Sequence, residues 1–303
     1  MTNRFSDPPM RARGAALIGV DWGSSSLRAF RIAADGSVLQ IRRTPDGVFT
    51  GSGAFEHRLR AVLGDWLAGD APILLCGMVG SDRGWLHAPY VPAPAGAADL
   101  ARALVRVPFE RPAWIVPGIS FAEGDSREVM RGEETLIVGL QAGIAPATAC
   151  LPGTHSKWAD IADGRIVGFR TYMTGELRAA LLERGALATG VDQQPSPDAF
   201  AQGMRAIAEG VTRALFQARA RRLLGTLAPE HTAAFVDGVL IAEEVAREHA
   251  SEIVLVARGA VAQAYEAALR GRAFSTIDPE PLAARGLFEL ARHAGILATT
   301  ARA

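Results

Sequence analysis

The sequence has few cysteines, no excess of either charge and no long apolar run. Two cysteines in 303 residues, Cys76 and Cys150, lie in apolar stretches, which predicts buried thiols of a reducing compartment rather than a disulfide framework. The 32 basic and 32 acidic residues cancel, which argues against a nucleic-acid-binding protein. No apolar stretch reaches the ~20 residues that span a bilayer, so no membrane partner is expected. Residues 1–14 lack the apolar core of a signal peptide, and the predicted location is cytoplasmic.

Length and composition favour two domains. Hydrophobic residues make up 49% of the chain, and 303 residues are too many for one small core. The predicted division is a flexible N-terminal tail over 1–14, a first lobe over 15–143 and a second lobe over 144–303. The sequence leaves open whether a terminal helix at about 281–294 packs on the second lobe or back on the first.

A hairpin with a loop of glycine and hydroxyl residues occurs twice. The first copy spans 16–32 and the second 149–161, and aligning Gly23 with Gly153 puts the two copies 130 residues apart. Glycine lets backbone N–H groups approach phosphate oxygens, and the hydroxyls add further donors. A repeated unit of this kind indicates two similar lobes that grip one chain of phosphates across a cleft.

Apolar periodicity predicts an alternating α/β chain. Strands are expected at 16–21, 27–32, 38–41, 72–80, 113–118, 252–257 and 275–278. Helices are expected at 54–68, 133–142, 176–184, 196–224, 238–248 and 261–269. The apolar stripe of the 196–224 helix, which includes Phe200 and Phe216, is interpreted as core.

Charged residues distinguish the two hairpins. Asp21 ends the first strand beside its loop, where a carboxylate can hold Mg²⁺ through water. It aligns with Leu151 in the second copy, which offers His155 and Lys157 as cationic contacts to phosphate instead. For a single hairpin the alternative is that hydroxyls satisfy a turn and the lysine is a solvated side chain. The second copy favours phosphate binding.

Further motifs resemble the 2-dehydro-3-deoxygalactonokinase family of the actin-like ATPase superfamily. The stretches 76–81, 85–90, 129–135, 151–158 and 173–177 carry the resemblance to the family. The two hairpins and the strand–glycine–helix at 252–260 resemble the two phosphate motifs and the adenosine motif of the superfamily. The resemblance implies a two-lobed actin-like ATPase (ribonuclease H-like) α/β fold with an inter-lobe cleft. It also implies ATP and Mg²⁺ as cofactors, and phosphorylation of the sugar acid 2-dehydro-3-deoxy-D-galactonate at its 6-hydroxyl, a step of galactonate and galactose catabolism.

The resemblance and the loop chemistry together nominate binding residues. Those for the ATP phosphates are Gly23, Ser24, Ser25, Ser26, Gly153, Thr154, His155, Ser156 and Lys157. Those for adenosine are Arg258, Gly259 and Ala260, although this turn holds fewer glycines than the superfamily motif. Those for the sugar acid are Arg28, Gly80, Ser81, Trp85, Tyr90 and Arg131, because guanidinium groups suit carboxylates and aromatic rings suit sugar carbons. The alternative for Trp85 and Tyr90 is that they anchor a proline-rich loop.

The general base is the least determined role. Glu133 and Glu134 begin the predicted helix at 133–142, in a stretch that also resembles the Gly-x-Glu-Glu segment of exopolyphosphatases. Glu134 is the preferred base, with Glu133 as an alternative and Asp21 as a competing assignment limited to the metal. Both glutamates can also be read as favourable first-turn residues at the positive end of a helix.

Two other functions stay open at the level of sequence. A phosphohydrolase acting on polyphosphate or a nucleotide would share the loops and the 131–134 stretch, and would release phosphate without an organic acceptor. A nucleotide-gated binding protein ranks third, since no separate peptide-binding region is visible. The stereochemistry of the sugar acid and the presence of a homodimer also stay open.

Overall fold

The computed structural model of the chain describes residues 14–140 and 147–297. These residues form two compact units. The first contains 14–140, 162–168 and 280–297, and the second contains 147–161 and 169–279. The terminal helix and the short segment 162–168 therefore belong to the first unit.

Ten strands and three helices lie in the first stretch of chain. The strands are β1 (Leu17–Trp22), β2 (Leu27–Ile32), β3 (Val38–Thr44), β4 (Ile73–Cys76), β5 (Val91–Pro92), β6 (Ala95–Gly96), β7 (Val105–Arg106), β8 (Ala113–Ile115), β9 (Ile119–Glu123) and β10 (Ser126–Met130). The helices are α1 (Phe55–Leu63), α2 (Ala97–Arg102) and α3 (Glu133–Leu140). The last part of the helix predicted over 133–142 lies outside the described residues.

The first unit is built on a sheet in the order β3-β2-β1-β4-β8-β7. Strands β1, β4 and β8 are parallel, and β2 and β3 add antiparallel strands on one side. All four residues of β4 are buried, as expected for a strand covered on both faces. A three-stranded sheet, β10-β9-β5, was not among the predicted elements.

The second unit repeats this strand order. The elements between residues 147 and 279 are β11 (Ala147–Leu151), β12 (Ser156–Ala162), β13 (Arg165–Tyr172), α4 (Thr174–Glu183), α5 (Pro197–Ala206), α6 (Val211–Leu223), α7 (Thr232–Arg247), β14 (Ile253–Val256), α8 (Gly259–Ala268) and β15 (Phe274–Ile277). Residue 162 of β12 and residues 165–168 of β13 fall in the segment that belongs to the first unit. The order β13-β12-β11-β14-β15 matches β3-β2-β1-β4-β8 strand for strand. The predicted α/β, actin-like ATPase fold class is confirmed.

The helix predicted over 196–224 is wrong as a single element. Helix α5 ends at Ala206, a 3-10 turn follows, and α6 starts after Gly210. Gly210 has φ of 87°, a left-handed conformation that an α-helix cannot contain. The break turns Phe216 outward, where it is 62% exposed, so it is not part of the predicted core stripe.

Two helix pairs cross at glycines. Helix α9 (Pro279–His293) meets α3 through Gly286 and Gly139, and α5 meets α7 through Gly203 and Gly238. A Cβ on Gly286 would overlap the Thr135 carbonyl oxygen. These crossings bring helix backbones into direct contact.

None of the helices in the described stretches combines the length and apolarity that crossing a bilayer requires.

Candidate functional site

The first hydroxyl loop is a tight turn between β1 and β2. The Gly23 N–H donates to the Ser26 carbonyl oxygen at 2.9 Å, and Val48 and Phe49 donate to the carbonyls of Gly23 and Ser24 at 2.9 and 3.0 Å. Ser25 and Ser26 are exposed. The loop is therefore held through its backbone, and two of its hydroxyl groups face outward.

Asp21 and Arg28, predicted for metal and for substrate, form an ion pair across β1 and β2. The Asp21 side chain stays 15% exposed. No group of three metal-ligating side chains occurs in the part of the chain that the structure describes. One partly exposed carboxylate fits Mg²⁺, because that ion keeps several waters and uses few protein ligands. It does not fit an ion that requires an all-protein cage.

Glu134 is completely buried at the start of α3. Its Oε2 accepts the Gly132 N–H at 2.6 Å, and its Oε1 accepts the Thr135 hydroxyl at 3.0 Å. Burial, reinforced by the charge of Glu133, raises the pKa of Glu134 to about 8. Glu133 accepts the N–H of Arg131 at 3.0 Å. Both glutamates thus accept backbone N–H groups at the N-terminus of the helix. Glu134 also has the raised pKa typical of functional carboxyl groups.

The turn after β4 brings Asp21 and Glu134 into one neighbourhood. A Cβ on Gly77 would lie 3.5 Å from Asp21 Oδ1, and one on Gly132 would lie 3.3 Å from the Gly77 Cα. Gly77 has φ of 90°, so the turn requires glycine. Burial raises the pKa of the Cys76 thiol, and the carboxylates of Asp21 and Glu134 raise it further. Two of the predicted catalytic residues therefore surround Cys76 and Gly77.

Arg131 is a buried cation with unsatisfied nitrogens. It is 9% exposed, its Nη2 donates to the Ala88 carbonyl oxygen at 2.7 Å, and its guanidinium lies 4.5 Å from the centre of the Tyr90 ring. Its Nε and Nη1 are buried without a hydrogen-bond partner among the described residues, as is Ser81 Oγ. Gly80 makes room for the guanidinium, since a Cβ there would lie 3.0 Å from Nη1. Four predicted substrate residues therefore lie together.

Trp85 has a packing role in this structure. Its ring stacks on Phe55 at 6.5 Å and meets Phe109 edge-on at 6.0 Å. It adjoins the hydrophobic core of the first unit. These contacts are the ones that the anchoring alternative requires.

The second hydroxyl loop is closed by the first turn of α4. Gly153, Thr154 and His155 are exposed. The Glu176 N–H donates to the Thr154 carbonyl oxygen at 2.9 Å, and the Glu176 carboxylate lies 2.5 Å from His155 Nε2. Gly175 lies against the loop backbone, where a Cβ would overlap the Gly153 carbonyl. The helix therefore fixes the loop backbone while its side chains stay accessible.

A buried hydrogen-bond network fixes the end of this loop, where β12 begins. The Glu244 carboxylate, 1% exposed, accepts Trp158 Nε1–H at 2.7 Å, Tyr265 O–H at 2.9 Å and the Thr174 hydroxyl. Because the Tyr265 hydroxyl donates its hydrogen bond to Glu244, the Ser156 hydroxyl donates to the Tyr265 oxygen at 2.9 Å. Ser156 is fully buried, and its hydroxyl positions the loop. Burial raises the pKa of Glu244, and the hydrogen bonds it accepts oppose that shift.

Sequence reasoning did not identify Glu244 or Tyr265. The available signal was a carboxylate within the apolar stretch of α7, where an unpaired charge is costly. Lys157 was identified, and it is 4% exposed on β12. It is the only lysine of the chain, beside 31 arginines.

The turn predicted to bind adenosine borders a cavity. Gly259 begins α8, and Ala260 lines a cavity of about 510 Å³ in the second unit, within the size range of small-ligand sites. Phe200 and Met204 add apolar lining, and Gln263 adds a polar group. The lining residues on α5 and α7 were not predicted from the sequence.

The chain matches the family model described as 2-keto-3-deoxy-galactonokinase over residues 21–290. The 2-dehydro-3-deoxygalactonokinase of Escherichia coli (strain K12) is 36% identical over 265 residues, covering 84% of this chain and 90% of that protein. A Rhizobium meliloti (strain 1021) protein named as a probable 2-dehydro-3-deoxygalactonokinase is 34% identical over 298 residues, covering 90% and 95%.

Solved structures of similar proteins agree with the family match. A crystal structure from Sinorhizobium meliloti, provisionally named as a 2-dehydro-3-deoxygalactonokinase, has a TM-score of 0.86 at 34% identity, covering 94% of this chain and 98% of that one. The activator of 2-hydroxyisocaproyl-CoA dehydratase from Clostridium difficile, solved with bound ADPNP, shares the fold alone, with a TM-score of 0.50 and 12% identity over 92% of this chain and 96% of that one. The chain therefore belongs to the 2-keto-3-deoxy-galactonokinase family.

Proposed function

We propose that the protein is an ATP-dependent kinase that phosphorylates 2-dehydro-3-deoxy-D-galactonate on its 6-hydroxyl, in galactonate catabolism. The observation that carries the proposal is the family match, which runs over residues 21–290 and so includes most of both units. The geometry within each unit supports it.

The second unit is proposed to bind the base and phosphates of ATP. In the second unit the base would occupy the cavity beside Ala260, with Arg258 and Gly259 at its border, and the exposed Gly153–His155 loop would donate to phosphate oxygens. Lys157 would add a positive charge to the phosphate site. Ser156 would act by fixing the loop. In the first unit the hydroxyls of the Gly23–Ser26 loop would contact phosphate.

Mg²⁺ is proposed at Asp21, where it would neutralise phosphate charge during transfer. Glu134 is proposed as the acceptor of the proton from the 6-hydroxyl, since a pKa of about 8 lies near the operating range of a general base. The sugar acid would bind the predicted first-unit residues Arg28, Gly80, Ser81, Tyr90 and Arg131, with Trp85 anchoring their loop.

The direct test is a coupled assay of ADP release with ATP, Mg²⁺ and the keto sugar acid. The proposal expects ADP to form only when the acid is present. Phosphate release without an organic acceptor would support the phosphohydrolase instead, and no turnover with any sugar acid would reject kinase activity. Asp21→Asn should lower kcat at least 100-fold, whereas the exposed control Asp125→Asn should leave it unchanged.

The single lysine offers a direct test of the ATP site. An acyl-phosphate derivative of ATP transfers its acyl group to a nearby lysine amine, and Lys157 is the only such side chain. We expect acylation of the peptide containing Lys157, with protection by excess ATP, as measured by mass spectrometry. Acylation that ATP does not compete would argue against this placement of the phosphates.

A further inference from the structure

Arg131 differs from the other strongly buried arginine of the first unit. Arg58, 5% exposed, donates to both carboxylate oxygens of Asp46 at 3.0 Å and to the backbone carbonyls of Asp46 and Gly47. Its charge and hydrogen bonds are satisfied by the fold. Arg131 forms no ion pair with any described carboxylate, and only one of its three nitrogens has an acceptor. A buried cation without a counter-charge is unfavourable unless another partner supplies one.

The surroundings of Arg131 keep its guanidinium in place without neutralising it. The Tyr90 ring lies 4.5 Å from the guanidinium, and the Ala88 carbonyl accepts from Nη2. The neighbouring carboxylate of Glu133 is engaged by the backbone N–H of Arg131. Gly80 leaves the space that the guanidinium requires. The guanidinium is thus held in place, and no ion pair with it occurs over residues 14–140 and 147–297.

A second unsatisfied group follows the glycine that contacts the guanidinium. Ser81 Oγ follows Gly80 directly and is buried without a hydrogen-bond partner. Donors of a guanidinium and a hydroxyl around one glycine call for an acceptor with several lone pairs and a negative charge. A carboxylate meets that requirement, and so does a phosphate. The sugar acid of the proposed reaction carries one carboxylate.

We propose that Arg131 and Ser81 form the subsite that binds the carboxylate of the sugar acid, and that they make the enzyme selective for acids over uncharged sugars. This inference rests on the proposed function, because the acid is the substrate named there. Arg131 supplies the counter-charge, and Ser81 supplies a neutral donor. Binding of the acid satisfies polar groups that the folded chain alone leaves without partners.

The test compares the sugar acid with its primary amide, in the wild type and in Arg131→Gln. The wild type should prefer the acid by about 100-fold or more in kcat/KM, because an unpaired guanidinium rejects the uncharged amide. Arg131→Gln should reduce that preference below tenfold and leave the KM for ATP within twofold. Arg131→Lys should be intermediate, since it keeps the charge and loses the planar fork. Arg83→Gln, at an exposed arginine over Phe49, is the matched control and should keep the full preference.

The possible outcomes separate this inference from the proposed function. No turnover of the acid by the wild type would reject the function itself. An active wild type that does not distinguish acid from amide, or an Arg131→Gln variant that keeps the preference, would overturn the subsite alone. If Arg131→Gln raises the KM for ATP and keeps the preference for acid over amide, the guanidinium binds phosphate instead. That result would also overturn the carboxylate subsite. If Arg131→Gln does not fold, the Ser81→Ala variant provides the test. A preference for acid over amide that is reduced about fivefold supports the subsite, and an unchanged preference overturns it.

Discussion

Replacing Glu134 with glutamine should make the protein more resistant to unfolding at alkaline pH. The wild-type carboxyl has a pKa of about 8 in the folded protein, against an ordinary value of 4.5, because it is completely buried. Between these two values the unfolded chain has released the proton and the folded chain retains it. The free energy of unfolding therefore falls by about 1.4 kcal/mol per pH unit in this window. The contribution is fully present below pH 4.5 and lost above pH 8, a total of roughly 5 kcal/mol.

Glutamine has nearly the same shape and does not titrate. We therefore expect Glu134→Gln to match the wild type near pH 4.5 and to exceed it progressively up to pH 8. Urea unfolding of both proteins at several pH values measures the difference, in which all other titrating groups cancel. The exposed residue Glu123 provides the control Glu123→Gln, which should change the free energy of unfolding little. A difference for Glu134→Gln that varies by less than 1 kcal/mol over this range would refute the reasoning.

The same variant separates a base from a purely structural carboxyl. If Glu134 accepts the substrate proton, glutamine should abolish turnover at every pH while the fold becomes more stable. The wild-type kcat should rise with pH toward 8 as the carboxyl ionises. An active Glu134→Gln enzyme with an unchanged pH profile would assign the residue to the helix terminus alone.

Three further predictions follow from buried contacts. Gly286→Ala should lower the melting temperature, because overlap of the added Cβ with a helix backbone outweighs the helix-propensity gain of about 1 kcal/mol. The control Gly69→Ala should leave the melting temperature unchanged in the same thermal scan, since the atom nearest to its added Cβ would be 3.9 Å away. Tyr265→Phe should raise the KM for ATP severalfold and leave the KM for the sugar acid unchanged, since it loosens only the second loop; equal changes in both would contradict this role. Burial raises the thiol pKa of Cys76 and Cys150, so iodoacetamide at pH 8 should label neither in the native protein and both after denaturation, as read by mass spectrometry.

Features encoded locally could be predicted from the sequence. Strands β1 and β2 follow from short apolar segments on either side of a glycine–serine turn, and β2 was predicted at its observed bounds. The repeat of the hairpin predicted the repeated strand order. The β9–β10 hairpin was not predicted, because its alternation is interrupted by charged and polar residues on exposed faces.

The partners of buried polar groups could not be predicted. Glu244 binds Trp158 and Thr174, which lie 86 and 70 residues away in sequence, so no local pattern reports the network. The same limit applies to arginines. Arg28, Arg58 and Arg131 differ in partner and not in type: one pairs with Asp21, one is saturated by the fold, and one lacks a counter-charge. Only the structure shows that Arg131, alone of these three arginines, has buried donors without an acceptor among the described residues.

The surroundings of the buried carboxylates also decide which of them can work as a base. Glu244 accepts from three side chains, and Glu248 is tied to Arg170 and Tyr172, so both are occupied within the fold. The hydrogen bonds that Glu244 accepts oppose the rise in its pKa that burial causes. Glu134 accepts the Gly132 N–H and the Thr135 hydroxyl, but complete burial outweighs its hydrogen bonds and raises its pKa to about 8. Glu134 is therefore the carboxyl that we propose as the base, and its raised pKa suits that role.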